Sequence, residues 1–220
     1  MKTLEDNCYR VGGANMRFLI VSDLHEIKIE DLVPPPIIKS VDYIISAGDY
    51  LHYPFPKPAI GVYGNHDSLE EVFQRKSLIN CHMQIVKVAN LTFLGIQGVF
   101  SPRPRKWYHN SEQEVKRFLM KQPKVNFFIT HERASGIFDR LNSGKPFFTE
   151  YILKRQPDYY ISGHVCADGD LLKKGSTLCL NPHPCNKKRF ILLDSETEKI
   201  AVVDRPILPL PSKTERRRIK

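Results

Sequence analysis

The chain contains no apolar stretch near the ~18 residues that a membrane-spanning helix needs, and its N-terminus has no apolar core of the secretory kind. Neither a membrane span nor an export signal is expected, and a cytoplasmic location follows. The five cysteines, Cys8, Cys81, Cys166, Cys179 and Cys185, are odd in number and form no C-x-x-C pair. That pattern excludes a disulfide framework and a separate zinc ribbon and predicts reduced thiols. Tryptophan occurs once, no internal repeat is present, and composition is biased only at prolines and at the basic C-terminal end.

What remains is ordinary globular composition, 41% hydrophobic and 26% charged over 220 residues, enough to bury one substantial core. The net charge of +9 is uneven: Lys213 to Lys220 contributes +4 and residues 1–212 contribute +5. Two readings of this tail stand open, contact with phosphate backbones or acidic surfaces and a solvated end. We expect a flexible extension over 1–15, one domain over 16–207 and a basic tail over 208–220.

Short apolar runs alternate with helical stretches, which predicts βαβ units. Strands are expected at 16–21, 41–46 and 59–63, with a helix over 27–39 broken by Pro34-Pro35-Pro36 and a proline-rich loop over 53–58. Ser68 reads as the N-cap of a helix ending near Leu78, and Ala89-Asn90 joins strands 84–88 and 91–96 as a hairpin. Ser111 with Glu114 reads as a capping box opening a helix to about Lys121. Strand 125–130, helix 147–155 and strand 158–162 follow, then four strands at 171–173, 177–180, 189–194 and 199–204 that read as a meander. An α/β class with two packed sheets flanked by helices is the expected architecture.

Five of these runs end in side chains able to bind metal: Asp23-Leu24-His25, Gly48-Asp49, Gly64-Asn65-His66-Asp67, Thr130-His131 and Gly163-His164. In an α/β sheet the ligand crevice lies beyond the carboxyl ends of the strands, so five such ends converge on one pocket. Two divalent ions ~3.5 to 4 Å apart can clamp an in-line phosphoryl displacement and activate water near neutral pH, which requires hard oxygen ligands, imidazoles and a bridging carboxylate. Asp23 and His25, two apart on an extended strand end, are expected to face the same ion. Asp49 is the expected bridge, with Gly48 letting the backbone approach. Asn65 offers an amide oxygen to the second ion, His66 is the expected proton donor facing the substrate, and Asp67 is expected to orient it. His131 and His164 complete the second site.

In this pattern the chain resembles the calcineurin-like metallophosphoesterase superfamily, over 23 to about 181. The resemblance implies a two-sheet α/β sandwich with two divalent ions (manganese, iron or zinc) at the strand ends. It implies Asp23, His25 and Asp49 on the first ion, Asp49, Asn65, His131 and His164 on the second, and His66 as the acid. The implied activity is hydrolysis of a phosphate ester, phosphodiesters favoured, with a metal-bridging hydroxide as nucleophile. The superfamily also contains repair nucleases and scaffold members such as the retromer subunit, so a noncatalytic phosphate-binding role and a structure-selective nuclease stand as alternatives. One position departs from the pattern: Cys166 stands where a second histidine usually follows Gly-His-x. Two readings stay open, a thiolate on the first ion that favours zinc or iron, and a small buried residue beside a site with an open position.

Substrate contacts are sought in Arg103, Arg105 and Trp107, where cations and aromatics share a proline-stiffened loop, and in Arg133 just after His131. Stacking on Trp107 with phosphate held by arginine suits a nucleotide or nucleic acid. The alternative for Trp107 is a staple of its loop to the helix that Ser111 opens.

Overall fold

A computed structural model describes residues 2–3, 16–50, 53–68, 78–102, 106–139, 142–165, 171–182 and 187–206. Among them lie fifteen strands and four helices. The first sheet contains β1 (Lys2–Thr3), β2 (Arg17–Val21), β3 (Tyr43–Ser46), β4 (Ala59–Gly61), β5 (Leu78–Asn80), β14 (Lys187–Asp194) and β15 (Ile200–Pro206), ordered β1-β15-β14-β2-β3-β4-β5. The second contains β6 (Ile85–Val88), β7 (Leu91–Ile96), β10 (Phe127–Thr130), β11 (Tyr159–Ser162), β12 (Leu171–Lys174) and β13 (Thr177–Leu180), ordered β12-β13-β11-β10-β7-β6. A short parallel pair, β8 (Val99–Phe100) and β9 (His109–Asn110), stands apart. The helices are α1 (Ile29–Leu32), α2 (Pro35–Ser40), α3 (Glu112–Lys121) and α4 (Pro146–Arg155).

The central strands of both sheets are parallel, β2 to β5 in one and β7, β10, β11 and β13 in the other. Parallel strands covered on both faces read as unbroken apolar runs, which is why Phe18 to Val21 and Phe127 to Ile129 are fully buried without alternation. Phe18, Ile20, Ile45, Phe93, Phe127, Ile129 and Leu180 point between the sheets. There Phe93, Phe127 and Tyr159 stack at centroid spacings of 4.7 and 4.9 Å. Leu19, Val21 and Ile44 face outward under α1 and α2, and Phe128, Tyr160 and Cys179 face outward under α3 and α4. The result is an α/β/β/α sandwich, the expected architecture.

Several local readings change. The expected helix ending near Leu78 lies mostly outside the described residues, and Leu78 itself opens β5, an edge strand. The four C-terminal strands form no single meander: β12 and β13 join the second sheet, whereas β14 and β15 join the first. Ser111 stands at the N-cap of α3 but its side chain makes no capping bond. The helix over 27–39 does break at the prolines, giving α1 and α2, because proline ends one helix and opens the next. No described helix is long and apolar enough to cross a membrane. Cys81 and Cys179 are buried free thiols, and burial pushes both up to about 12.

Candidate metal centre

Beyond the last paired residue of each central strand the chain turns sharply, and the turns hold one another by backbone hydrogen bonds. The N–H of Asp23 donates to the Gly48 carbonyl at 2.9 Å, that of His25 to Asp49 at 2.8 Å, that of His131 to Ile96 at 3.0 Å and that of Gly163 to His131 at 3.1 Å. Asp23, His25, Asp49 and His164 all adopt positive φ, between 51° and 67°. Asp and His tolerate the left-handed region better than most residues, yet each such position costs on the order of 1–3 kcal/mol. The expectation that Asp23 and His25 share a side through strand alternation is therefore replaced. Strand β2 ends at Val21, and two left-handed residues fold the side chains together.

Two ligand groups result. The ligand atoms of Asp23, His25 and Asp49 lie within 4.8 Å of one another, and so do those of Asp49, His131 and His164. Asp49 belongs to both, the position a bridging carboxylate must hold. The first group comes wholly from the first sheet, and the second joins Asp49 to two histidines of the second sheet. Two glycines make this density possible. A Cβ on Gly48, at φ +102°, would stand 2.6 Å from His131 Nδ1, and one on Gly64 would run into the Asp49 carboxylate.

His131 is fully buried, with Nδ1–H donating to the Ala47 carbonyl at 2.8 Å, which leaves Nε2 turned to the centre. Nε2 lies 2.9 Å from Asn65 Oδ1 and 3.5 Å from Asp49 Oδ2. Burial disfavours charge on His131, but the Asp49 carboxylate outweighs it and holds the imidazole up at about 9. Burial likewise raises Asp49, and the His131 side chain outweighs it to bring the carboxyl down to about 2. Burial and the neighbouring His131 charge push His164 down to about 4. In the metal-free chain a proton on His131 thus neutralises charge where an ion would sit. Oxygen and imidazole donors, a shared buried carboxylate and a carbonyl fixing the free imidazole nitrogen fit a pair of hard or borderline divalent ions.

Asn65 is half-buried with its amide oxygen on His131, and His66 is exposed, edge-on to His25 at 5.2 Å between ring centroids. The backbone N–H of His66 donates to Asp49 Oδ1 at 2.8 Å. Asp67 does a different task from the one expected. Its carboxylate accepts the N–H groups of Asp49 at 3.0 Å, Tyr50 at 3.1 Å and Gly64 at 2.7 Å, bracing the loop instead of the His66 ring. Burial keeps its carboxyl up at about 6.

Trp107 packs edge-on against Tyr63, 6.1 Å between centroids, and joins the apolar cluster under α1 and α2 instead of stapling to α3. Arg133 is 3% exposed and its guanidinium is turned onto the carbonyls of Phe138 and Val165, so it is not placed to meet substrate. Arg103, Arg105, Cys166 and the basic tail lie outside the described residues. Ser22, whose hydroxyl donates to Asp23 Oδ2, and Ala47 are supporting residues that sequence reasoning missed. Only their place beside the motif residues hints at them.

The pattern of the calcineurin-like phosphoesterase superfamily domain matches residues 16–198. One solved crystal structure is 14% identical, with 87% of this chain and 99% of that chain covered at a TM-score of 0.67. The crystal structure of TT1561 of Thermus thermophilus is 15% identical, with the same coverage and a TM-score of 0.62. No curated protein matches the sequence.

Proposed function

The chain belongs to the calcineurin-like phosphoesterase superfamily, and on that premise we propose that it hydrolyses phosphate esters, phosphodiesters by preference, in a metal-dependent reaction at this centre. The observation that carries the reading is the pair of ligand groups sharing Asp49. Asp23, His25 and Asp49 would hold one ion, and Asp49, Asn65, His131 and His164 the other. Bound there, two divalent ions supply Lewis-acid chemistry, acidifying water and neutralising charge on the phosphoryl group.

The chain's own residues supply position and protons. Asp49 anchors the His66 backbone, so the exposed imidazole stands at the mouth beside His25, where it can protonate a departing oxygen. Asp67 keeps that loop rigid through its three backbone bonds.

The test is hydrolysis of a chromogenic phosphodiester beside the matching monoester, after metal stripping and addition of manganese, zinc or iron. Wild-type protein should regain activity, greater on the diester, and Asp49→Asn should lose at least about 100-fold while remaining folded. Silence from folded, metal-loaded wild type would replace the enzyme with a phosphate-binding or scaffold member of the same fold. Greater activity on the monoester would overturn the ester preference alone.

A further inference from the structure

The two histidines of the second group leave neighbouring strands, β10 and β11, and the separation of their rings is set by the turns that follow. His164 occupies the tighter turn. Val165 donates its N–H to the Gly163 carbonyl at 3.0 Å across His164, which stands at φ 67°. A bond from residue i+2 back to i around a residue of positive φ is the strained form of the γ-turn, rare because it crowds the central side chain. The His164 N–H donates to Asp23 Oδ2 at 3.0 Å, which fixes one side of the turn. The other side ends in the Val165 carbonyl, and that carbonyl accepts Nη2 of Arg133.

Arg133 also donates from Nη1 to the Phe138 carbonyl at 2.7 Å, and its own carbonyl accepts the Lys145 N–H at 2.9 Å. A buried guanidinium is costly unless its donors are satisfied, and here two are spent on carbonyls of two separate loops. The residue lies two positions beyond His131 and grips the residue after His164. One rigid planar fork thus ties both histidines of the second group together.

We propose that Arg133 is a positioning residue for the second ion, locking the strained His164 turn at the spacing that ion requires. The proposal rests on the metal-centre reading above. Clamping and charge act in opposite directions, which makes the role testable. As a cation near a cation site, Arg133 repels the ion, so removing it would tighten binding if charge dominated. As a clamp it does the reverse.

Metal-stripped full-length protein is titrated with Mn²⁺ alone, and free and bound ion are followed by electron paramagnetic resonance, with folding checked by circular dichroism. Wild type should take up two ions. Arg133→Met and Arg133→Lys should bind the first ion as wild type does and the second about 10- to 100-fold more weakly, the usual effect of removing a partner that orients a ligand. Loss confined to the second ion separates positioning from general destabilisation, which would weaken both. A wild-type second affinity in folded Arg133→Lys, or tighter binding in Arg133→Met, overturns the proposal. Should Arg133→Met fail to fold, Arg133→Lys decides, since it keeps the charge and the apolar stem but not the fork. Wild type that takes up no Mn²⁺ overturns the metal-centre reading and this proposal with it.

Discussion

Asp49 and His131 form a buried ion pair in the metal-free chain, and the proton on His131 is the competitor of the second ion. With His131 held at about 9 against Asp49, an ion must displace that proton at any pH below about 9. Apparent affinity for the second ion should therefore rise by up to about tenfold per pH unit between pH 6 and 9. Mn²⁺ titrations at pH 6, 7 and 8 measure this, and a flat second affinity would contradict the pairing. The same pair has a stability signature without metal. The raised His131 contributes fully below its unfolded value near 6.5 and loses that contribution as pH rises through 9; the lowered Asp49 contributes above about 4 and loses it as pH falls toward 2. At this scale the sequence was informative where chemistry demands a residue type. Asp-x-His, Gly-Asp, Gly-Asn-His-Asp and the two Gly- or Thr-linked histidines all reach one centre or its mouth. It was silent on conformation. The positive φ at Asp23 and His25 arises from bonds to the Gly48 and Asp49 carbonyls, residues about two dozen positions away. Likewise nothing local says that Arg133 faces Val165 and not the pocket.

The chain first passes from the first sheet to the second through Cys81, His82 and Met83. Cys81 donates its N–H to Gly61 of the first sheet, and Met83 donates to Gly95 of the second. His82 secures the crossing: its Nδ1 accepts the Gln97 N–H at 3.2 Å and its own N–H donates to Asn80 Oδ1 at 2.9 Å. Burial lowers this imidazole to about 4. A depressed folded value means stability is complete above the unfolded value near 6.5 and drains away as pH falls toward 4, where protonation also removes the acceptor for Gln97. His82→Gln should flatten that part of the profile, seen as a smaller Tm loss from pH 7 to pH 4.5 than in wild type. An identical loss in both proteins would show that His82 is not the responsible group. Element reading succeeded for β2, β3, β7, β10 and β11 and failed at β5. Long apolar runs announce buried parallel strands, whereas Leu78–Asn80 is three residues long and sits on an edge, held by partners in β4. The same limit hid the division of the last four strands, since period alone does not say which sheet a hairpin joins.

On the scale of the whole molecule, the two ligand groups are mechanically unlike. Asp23, His25 and Asp49 all follow strands of the first sheet, so an ion there closes loops on one side of the sandwich. Asp49 with His131 and His164 spans both sheets, so an ion there ties the two halves at the end where left-handed turns and packed charges concentrate their cost. An ion that binds only the folded chain at 100 times its Kd adds about 2.7 kcal/mol, and at this chain length each kcal/mol moves Tm by roughly 2–4 °C. One saturated site should raise Tm by about 5–10 °C, and two sites by about twice that. His164→Ala should keep the contribution of the first ion and lose that of the second, because His164 takes no part in the first group. Asp49→Asn, which damages both groups, should lose nearly all of it. Thermal melts with and without Mn²⁺ on the three proteins decide the matter. A full wild-type shift surviving in Asp49→Asn would mean that the stabilising ions bind away from this centre, and equal shifts in wild type and His164→Ala would mean that the sheets are not joined through the second ion.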